Sequence, residues 1–186
     1  MNIIILAGGH SKRMGRDKGD LVYYDRPQKY YLYNMLFEAG HDVYISQRSD
    51  QDRNEAYRYI LDPEQNIGPM GGIVSAMEQK YEGWLIVGCD YPYFNLDAVN
   101  FLIENRNTDA YATCFIDPES GYIIPTCGIY ETRILTQFHK AIERESYGLF
   151  RLLKELDVHL IHARENWMFG VNSYDTYQAV KKEMKK

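Results

Sequence analysis

The sequence predicts a three-layer α/β fold in which a mixed, mostly parallel sheet is flanked by helices. Residues 2–7 and 84–90 are short segments built on the continuous apolar runs Ile3 to Ala7 and Trp84 to Val87, the pattern of strands buried on both faces. Helical stretches separate the early strands, as β–α–β units require. Later, "DPESG" (Asp117 to Gly121) is a tight-turn sequence between two extended segments and adds an antiparallel hairpin.

The elements follow in order. The first strand, residues 2–7, runs into Gly8-Gly9, so a glycine loop starts at its carboxyl end. Pro27 suits the first turn of a helix over 27–39, with Leu32, Met35, Leu36 and Ala39 at helical spacing and Gly40 as its stop. Residues 42–47 alternate as a second strand. A short strand over 59–61 ends at Asp62-Pro63, and "NIGPMGG" leads into a helix over 72–80. The strand over 84–90 closes on Asp90 before Pro92, placing a carboxylate at its exit. Residues 98–104 read as a helix, 111–116 and 122–130 as the hairpin strands, 132–144 and 147–156 as helices, 158–162 as a strand and 173–186 as a closing helix. In such sheets ligands bind at the carboxyl ends of the strands.

Composition narrows the function. The 186 residues, 1–186, make one domain, and 45% apolar with 25% charged residues is an ordinary globular balance. A net charge of −5 argues against nucleic acid as a partner. The apolar start is too short for a signal peptide or a membrane span, and three cysteines without a C-x-x-C pair suggest neither disulfides nor a zinc cluster. A reducing cytoplasm and no membrane contact are the expectation. His159 and His162 fall on opposite sides of a strand, which makes a joint metal site improbable. The 17 tyrosines form no fixed-period repeat.

Against that acidic background, "LAGGHSKRMGRDK" concentrates Lys12, Arg13, Arg16 and Lys18 in one loop. The stretch is not a P-loop, because Gly15 is followed by Arg16, and it lacks G-x-G-x-x-G. What remains is a loop whose backbone N–H groups and cations can face an anion, phosphate above all. The plain alternative is a surface turn with solvated charges.

The whole spelling from Leu6 to Lys18 resembles the signature of the MobA-like nucleotidyltransferases, L-A-G-G-x-S-x-R-M-G-x-D-K, at every specified position. "GPMGG" (Gly68 to Gly72), "CDYP" (Cys89 to Pro92) and, more faintly, "VNSYD" (Val171 to Asp175) extend the resemblance over most of the chain. It implies the Rossmann-like nucleotide-diphospho-sugar transferase fold and molybdenum cofactor guanylyltransferase activity. In that family the loop wraps the nucleotide's phosphates. That role falls to Leu6, Ala7, Gly8, Gly9, Ser11 and Gly15, with Arg13 and Lys18 holding charge and Lys18 the first catalytic choice. Asp90 matches the metal-binding, catalytic aspartate, implying Mg²⁺, with Mn²⁺ as the alternative. Asp62 matches a base- or metal-contacting aspartate, although Asp-Pro is also a common turn opener. Gly68, Pro69 and Gly72 match the turn that takes the base and tilt the nucleotide toward GTP; the alternative is that the glycines merely start a helix near the sheet. Where relatives carry N-x-N-T-P, this chain has Gly170, Asn172, Ser173 and Tyr174. Asn172 is therefore assigned to metal or acceptor, or else to capping the closing helix.

No catalytic histidine motif supplies a base. A phosphate monoester acceptor, with a second pKa of about 6, is already largely a dianion at neutral pH and needs none. By resemblance the acceptor is molybdopterin, and other cofactor-biosynthesis proteins are possible partners. The alternatives are CTP or a phosphosugar acceptor, or a nucleotide-binding regulatory protein without catalysis.

Overall fold

A computed structural model describes residues 1–9, 17–62, 67–164 and 166–184. Seven strands make one sheet: β1 (Asn2–Leu6), β2 (Asp42–Arg48), β3 (Tyr59–Asp62), β4 (Trp84–Gly88), β5 (Ala112–Ile116), β6 (Ile123–Tyr130) and β7 (Val158–His162), in the order β3-β2-β1-β4-β6-β5-β7. β1 pairs in parallel with β2 and β4, β2 with β3, and β5 with β7. β6 is antiparallel to β5, as the hairpin sequence predicts, and it is also antiparallel to β4.

The helices are α1 (Gln28–Glu38), α2 (Pro69–Gln79), α3 (Leu96–Glu104), α4 (Leu135–Glu143), α5 (Leu149–Lys154) and α6 (Tyr174–Glu183). α1 to α5 form two outer layers over separate cores, while Tyr177 and Val180 of α6 pack with Leu21, Tyr23 and Val171 in a third cluster. Ile3, Ile5, Val43, Ile45, Leu85 and Val87 pack with Leu32 and Leu36 of α1 and with Val99 and Leu102 of α3. Ile4, Tyr44, Trp84 and Ile86 pack on the other face with Ile73 and Met77 of α2, Phe138 of α4 and Leu153 of α5. The consecutive isoleucines of β1 thus serve both cores; each is 0% exposed, and burying each stabilises the fold by about 1.5–3 kcal/mol.

Most boundaries shift by one to three residues from the sequence reading, and three of the shifts have a visible local cause. α2 begins at Pro69, three residues before the expected start, because Gly68 at φ +63° turns the chain and Pro69 already has the helical φ. α3 begins at Leu96, where the Asn95 side chain accepts the Ala98 N–H at 3.0 Å. α6 is capped by Ser173, whose Oγ accepts the Thr176 N–H at 3.2 Å. Asn172 is therefore not the helix cap.

This topology creates the site. From β1 the chain moves outward to β2 and β3, then returns to β4 on the opposite side of β1. That reversal leaves a crevice outside the carboxyl ends of β1 and β4, where open α/β sheets bind ligands. Leu6, Ser46 and Gly88 stand in register at that edge.

Candidate active site

Segments far apart in sequence converge at this edge. The ladder continues one residue beyond β1 through the Ala7 N–H, which donates to Ser46 O at 2.9 Å, while the Cys89 N–H donates to Leu6 O at 3.4 Å. Gly8 and Gly9 then leave the sheet; a Cβ on Gly9 would meet no described atom within 4 Å. The expected loop residues Ser11, Arg13 and Gly15 lie outside the described residues.

The chain is described again from Asp17, ahead of a single 3₁₀ turn, Lys18–Asp20. The Lys18 ammonium lies 2.5 Å from Asn172 Oδ1 and 3.4 Å from Asp90 Oδ2. The side chains of Lys18 and Asp90 are 23% and 24% exposed, shielded from bulk water yet open to a ligand. Asp90 follows β4 by two residues, and the Val171 N–H donates to its carbonyl at 2.9 Å. That bond sets the Asn172 side chain beside the same ammonium. The alternative of a buried, unpaired Asp90 does not apply.

Tyr91 anchors the aspartate from behind: its hydroxyl lies 2.7 Å from Thr126 Oγ1, and its carbonyl accepts from the fully buried Gln28 at 3.4 Å. Burial pushes the Tyr91 phenol and the neighbouring Cys89 thiol well above their ordinary values. Neither is an acid or nucleophile at neutral pH.

Asp62 ends β3 against the first turn of α2. A Cβ on Gly71 would lie 2.3 Å from Asp62 Oδ2, and one on Gly72 would lie 2.2 Å from Ser46 Oγ. The glycines of "GPMGG" therefore do two things: Gly68 turns the chain, and Gly71 and Gly72 let the helix start close to the strand ends. Gly68, Pro69, Gly72 and Asp62 thus lie together at the β2–β3 side of the edge, whereas Lys18, Asp90 and Asn172 gather on the β4 side.

Two residues outside every motif in the sequence, Arg48 and Gln51, tie the start of the glycine loop. Arg48 Nη1 donates to Gly8 O at 2.7 Å, and Gln51 Nε2 donates to Ala7 O at 3.2 Å and to the Asp17 carboxylate. Burial raises the Asp17 pKa from its ordinary 3.8, and the Gln51 hydrogen bond opposes the rise. No local motif marks Gln51.

Among the described residues no group of three or more His, Cys, Asp or Glu side chains could hold a metal ion. The site does carry two hard oxygen donors, the Asp90 carboxylate and Asn172 Oδ1, that already converge on a cation, the Lys18 ammonium. That donor set fits Mg²⁺, which keeps several waters and binds through one or two carboxylates plus substrate phosphates.

Residues 3–160 match the family model of the MobA-like NTP transferase domain. The chain belongs to that family. A molybdenum cofactor biosynthesis bifunctional protein of Synechocystis sp. is 34% identical over 163 residues, which cover 85% of this chain and 47% of that protein. The chain thus spans about half of its length. A probable molybdenum cofactor guanylyltransferase of Flavobacterium johnsoniae is 26% identical over 94% of this chain and 93% of its own. Among solved structures, molybdopterin-guanine dinucleotide biosynthesis protein A of Archaeoglobus fulgidus superposes with a TM-score of 0.81, at 16% identity over 100% and 99% of the two chains. The 2-C-methyl-D-erythritol 4-phosphate cytidylyltransferase of Thermus thermophilus gives 0.71, at 12% identity over 100% and 98%. Both show the MobA-like chain to have the nucleotide-diphospho-sugar transferase fold. Among the described residues no helix is long and apolar enough to cross a membrane.

Proposed function

We propose that this protein transfers GMP from GTP to the terminal phosphate of molybdopterin, releasing pyrophosphate and forming the guanine dinucleotide. The observation that carries the reading is the meeting of Lys18, Asp90 and Asn172 at the crevice beside β1. A cation from the glycine loop is held there next to the oxygen donors a nucleotide-bound metal needs. The relatives named as guanylyltransferases support guanine as the base, and the Gly68–Gly72 turn beside Asp62 supports placing it at the β2–β3 side.

The chemistry is a substitution at the α-phosphorus. An oxygen of the acceptor phosphate forms the new P–O bond, the bond from the α-phosphorus to the bridging oxygen breaks, and pyrophosphate leaves with that electron pair. No proton has to be removed from the attacking group, since a phosphate monoester is largely a dianion at neutral pH. Gly8 and Gly9 bring the backbone close to the phosphates, and Lys18 moves from Asp90 to neutralise the charge that grows on pyrophosphate. Arg13 helps to neutralise that charge, and Asn172 orients the acceptor. Asp90 and Asn172 would hold Mg²⁺, which when bound draws charge from the phosphate oxygens and aligns them for in-line attack.

Pyrophosphate release tests the reading when GTP and CTP are each offered with molybdopterin and with a phosphosugar. GTP with molybdopterin is the expected productive pair. Turnover with CTP alone, or with the phosphosugar alone, would replace it.

A further inference from the structure

Gly8 and Gly9 leave the sheet after Ala7, and the next residue described is Asp17, immediately before Lys18. One side chain from a different loop bridges the two ends. Gln51, three residues beyond β2, uses the two hydrogens of a single amide nitrogen, one on Ala7 O at 3.2 Å and one on the Asp17 carboxylate. Its own position is fixed. Gln51 Oε1 accepts the Arg48 N–H at 2.8 Å, and the carbonyls of Gln51 and Asp52 accept from the fully buried Gln47 at 3.3 and 3.2 Å. Arg48 adds a bond to Gly8 O at 2.7 Å and is itself held by Asp50 at 2.9 Å. From the other side Gly19 packs so closely on Ala7 that a Cβ would lie 3.2 Å from the Ala7 Cβ.

We propose that Gln51, assisted by Arg48, is the positioning residue of the phosphate site. By tying Ala7 to Asp17 it sets the distance between the first glycines and Lys18. That distance decides whether backbone amides and ammonium can engage one polyphosphate together, because aligned contacts lose most of their value with small displacements. The inference rests on the nucleotide reading above, and its logic is donor to acceptor: an amide must face the carboxylate of residue 17.

The test reverses that polarity. Gln51→Glu sets two carboxylates against each other, and Asp17→Asn in the same chain restores a donor opposite an acceptor. Binding of GTP with Mg²⁺, and of inorganic tripolyphosphate with Mg²⁺, is measured by calorimetry for the wild type, Q51E, Q51A and D17N/Q51E, with melting temperatures of the ligand-free proteins. Q51E is expected to weaken polyphosphate binding about tenfold or more, Q51A less, and D17N/Q51E to recover part of the loss, because the double variant restores a donor–acceptor contact between positions 17 and 51 but not the donation to Ala7 O. The proposal is overturned if Q51A and Q51E stay within twofold of wild type, or if the double variant binds no better than Q51E. Should Q51E not fold, Q51A decides alone. A wild type that takes tripolyphosphate but ignores GTP refutes the guanine reading while still reporting on Gln51; one that takes neither overturns both.

Discussion

The ammonium of Lys18 stands 3.4 Å from Asp90 Oδ2 although 72 residues separate them in the chain. Asn172 Oδ1 is only 2.5 Å from the same ammonium, so the lysine rests on the two groups proposed above to hold the metal. A phosphate chain entering beside Gly8 and Gly9 offers it a stronger anionic partner. On the proposed reading the same side chain pairs with the carboxylate before binding and stabilises the leaving group afterwards.

Lys18→Ala should therefore cost turnover more than affinity. Removing one preorganised charge from a developing oxyanion is worth about 10²–10³ in rate, whereas ground-state GTP binding keeps its other contacts. Steady-state kinetics should show kcat reduced by about that factor with KM changed only a few-fold. An unchanged kcat would remove Lys18 from the mechanism.

Asp90→Asn keeps the shape of the side chain and deletes the charge that draws a divalent cation. The Mg²⁺ concentration giving half-maximal rate should rise at least about tenfold, equivalent to roughly 1.4 kcal/mol of metal binding. A metal titration unchanged from wild type would place the ion elsewhere.

Two glycines should respond in opposite ways to alanine. At Gly71 the new Cβ would meet Asp62 Oδ2 at 2.3 Å, so Gly71→Ala should lower stability by about 1–3 kcal/mol through overpacking and displace Asp62. At Gly9 no described atom lies within 4 Å of a Cβ. Gly9→Ala should leave stability unchanged or up to about 1 kcal/mol higher while weakening GTP binding, because the methyl intrudes where phosphate approaches. Chemical denaturation paired with GTP titration separates the two outcomes.

The thiols offer a check on the fold. Cys114 and Cys127 are 0% exposed and Cys89 is 6% exposed, and burial pushes the Cys114 thiol up to about 12 and the other two well above their ordinary range. All three should resist a thiol reagent at pH 8 in the native protein and react once it is denatured. Rapid labelling of any one in the native state would contradict the packing of β4, β5 and β6.

Much of this was legible in the residues, for reasons that differ by element. β1 and β4 announced themselves because strands buried on both faces must be apolar throughout, and Asp117–Gly121 because a tight turn restricts residue types. The start of α2 was misplaced because Gly71 and Gly72 look like loop residues; their purpose, room for Asp62 and Ser46, depends on strands that are distant in sequence. Asn172 could be read as cap or as ligand until Ser173 took the cap and left its amide beside Lys18. Gln51 was invisible for a related reason, since a side-chain bridge between Ala7 and Asp17 leaves no periodicity. The abundance of tyrosine is partly accounted for by ring contacts made by α1: its Tyr30 stacks on Tyr57 at 4.3 Å and its Tyr31 on Tyr24 at 3.9 Å.

The central claim is a triphosphate seat between the first glycines and Lys18, with metal on Asp90. A crystal structure grown with GTP and Mg²⁺ tests it directly. The account predicts phosphates against Gly8 and Gly9, Lys18 turned from Asp90 toward them, and an ion on the Asp90 carboxylate. Nucleotide bound in another crevice, with Lys18 still on Asp90 and Asn172, would contradict it.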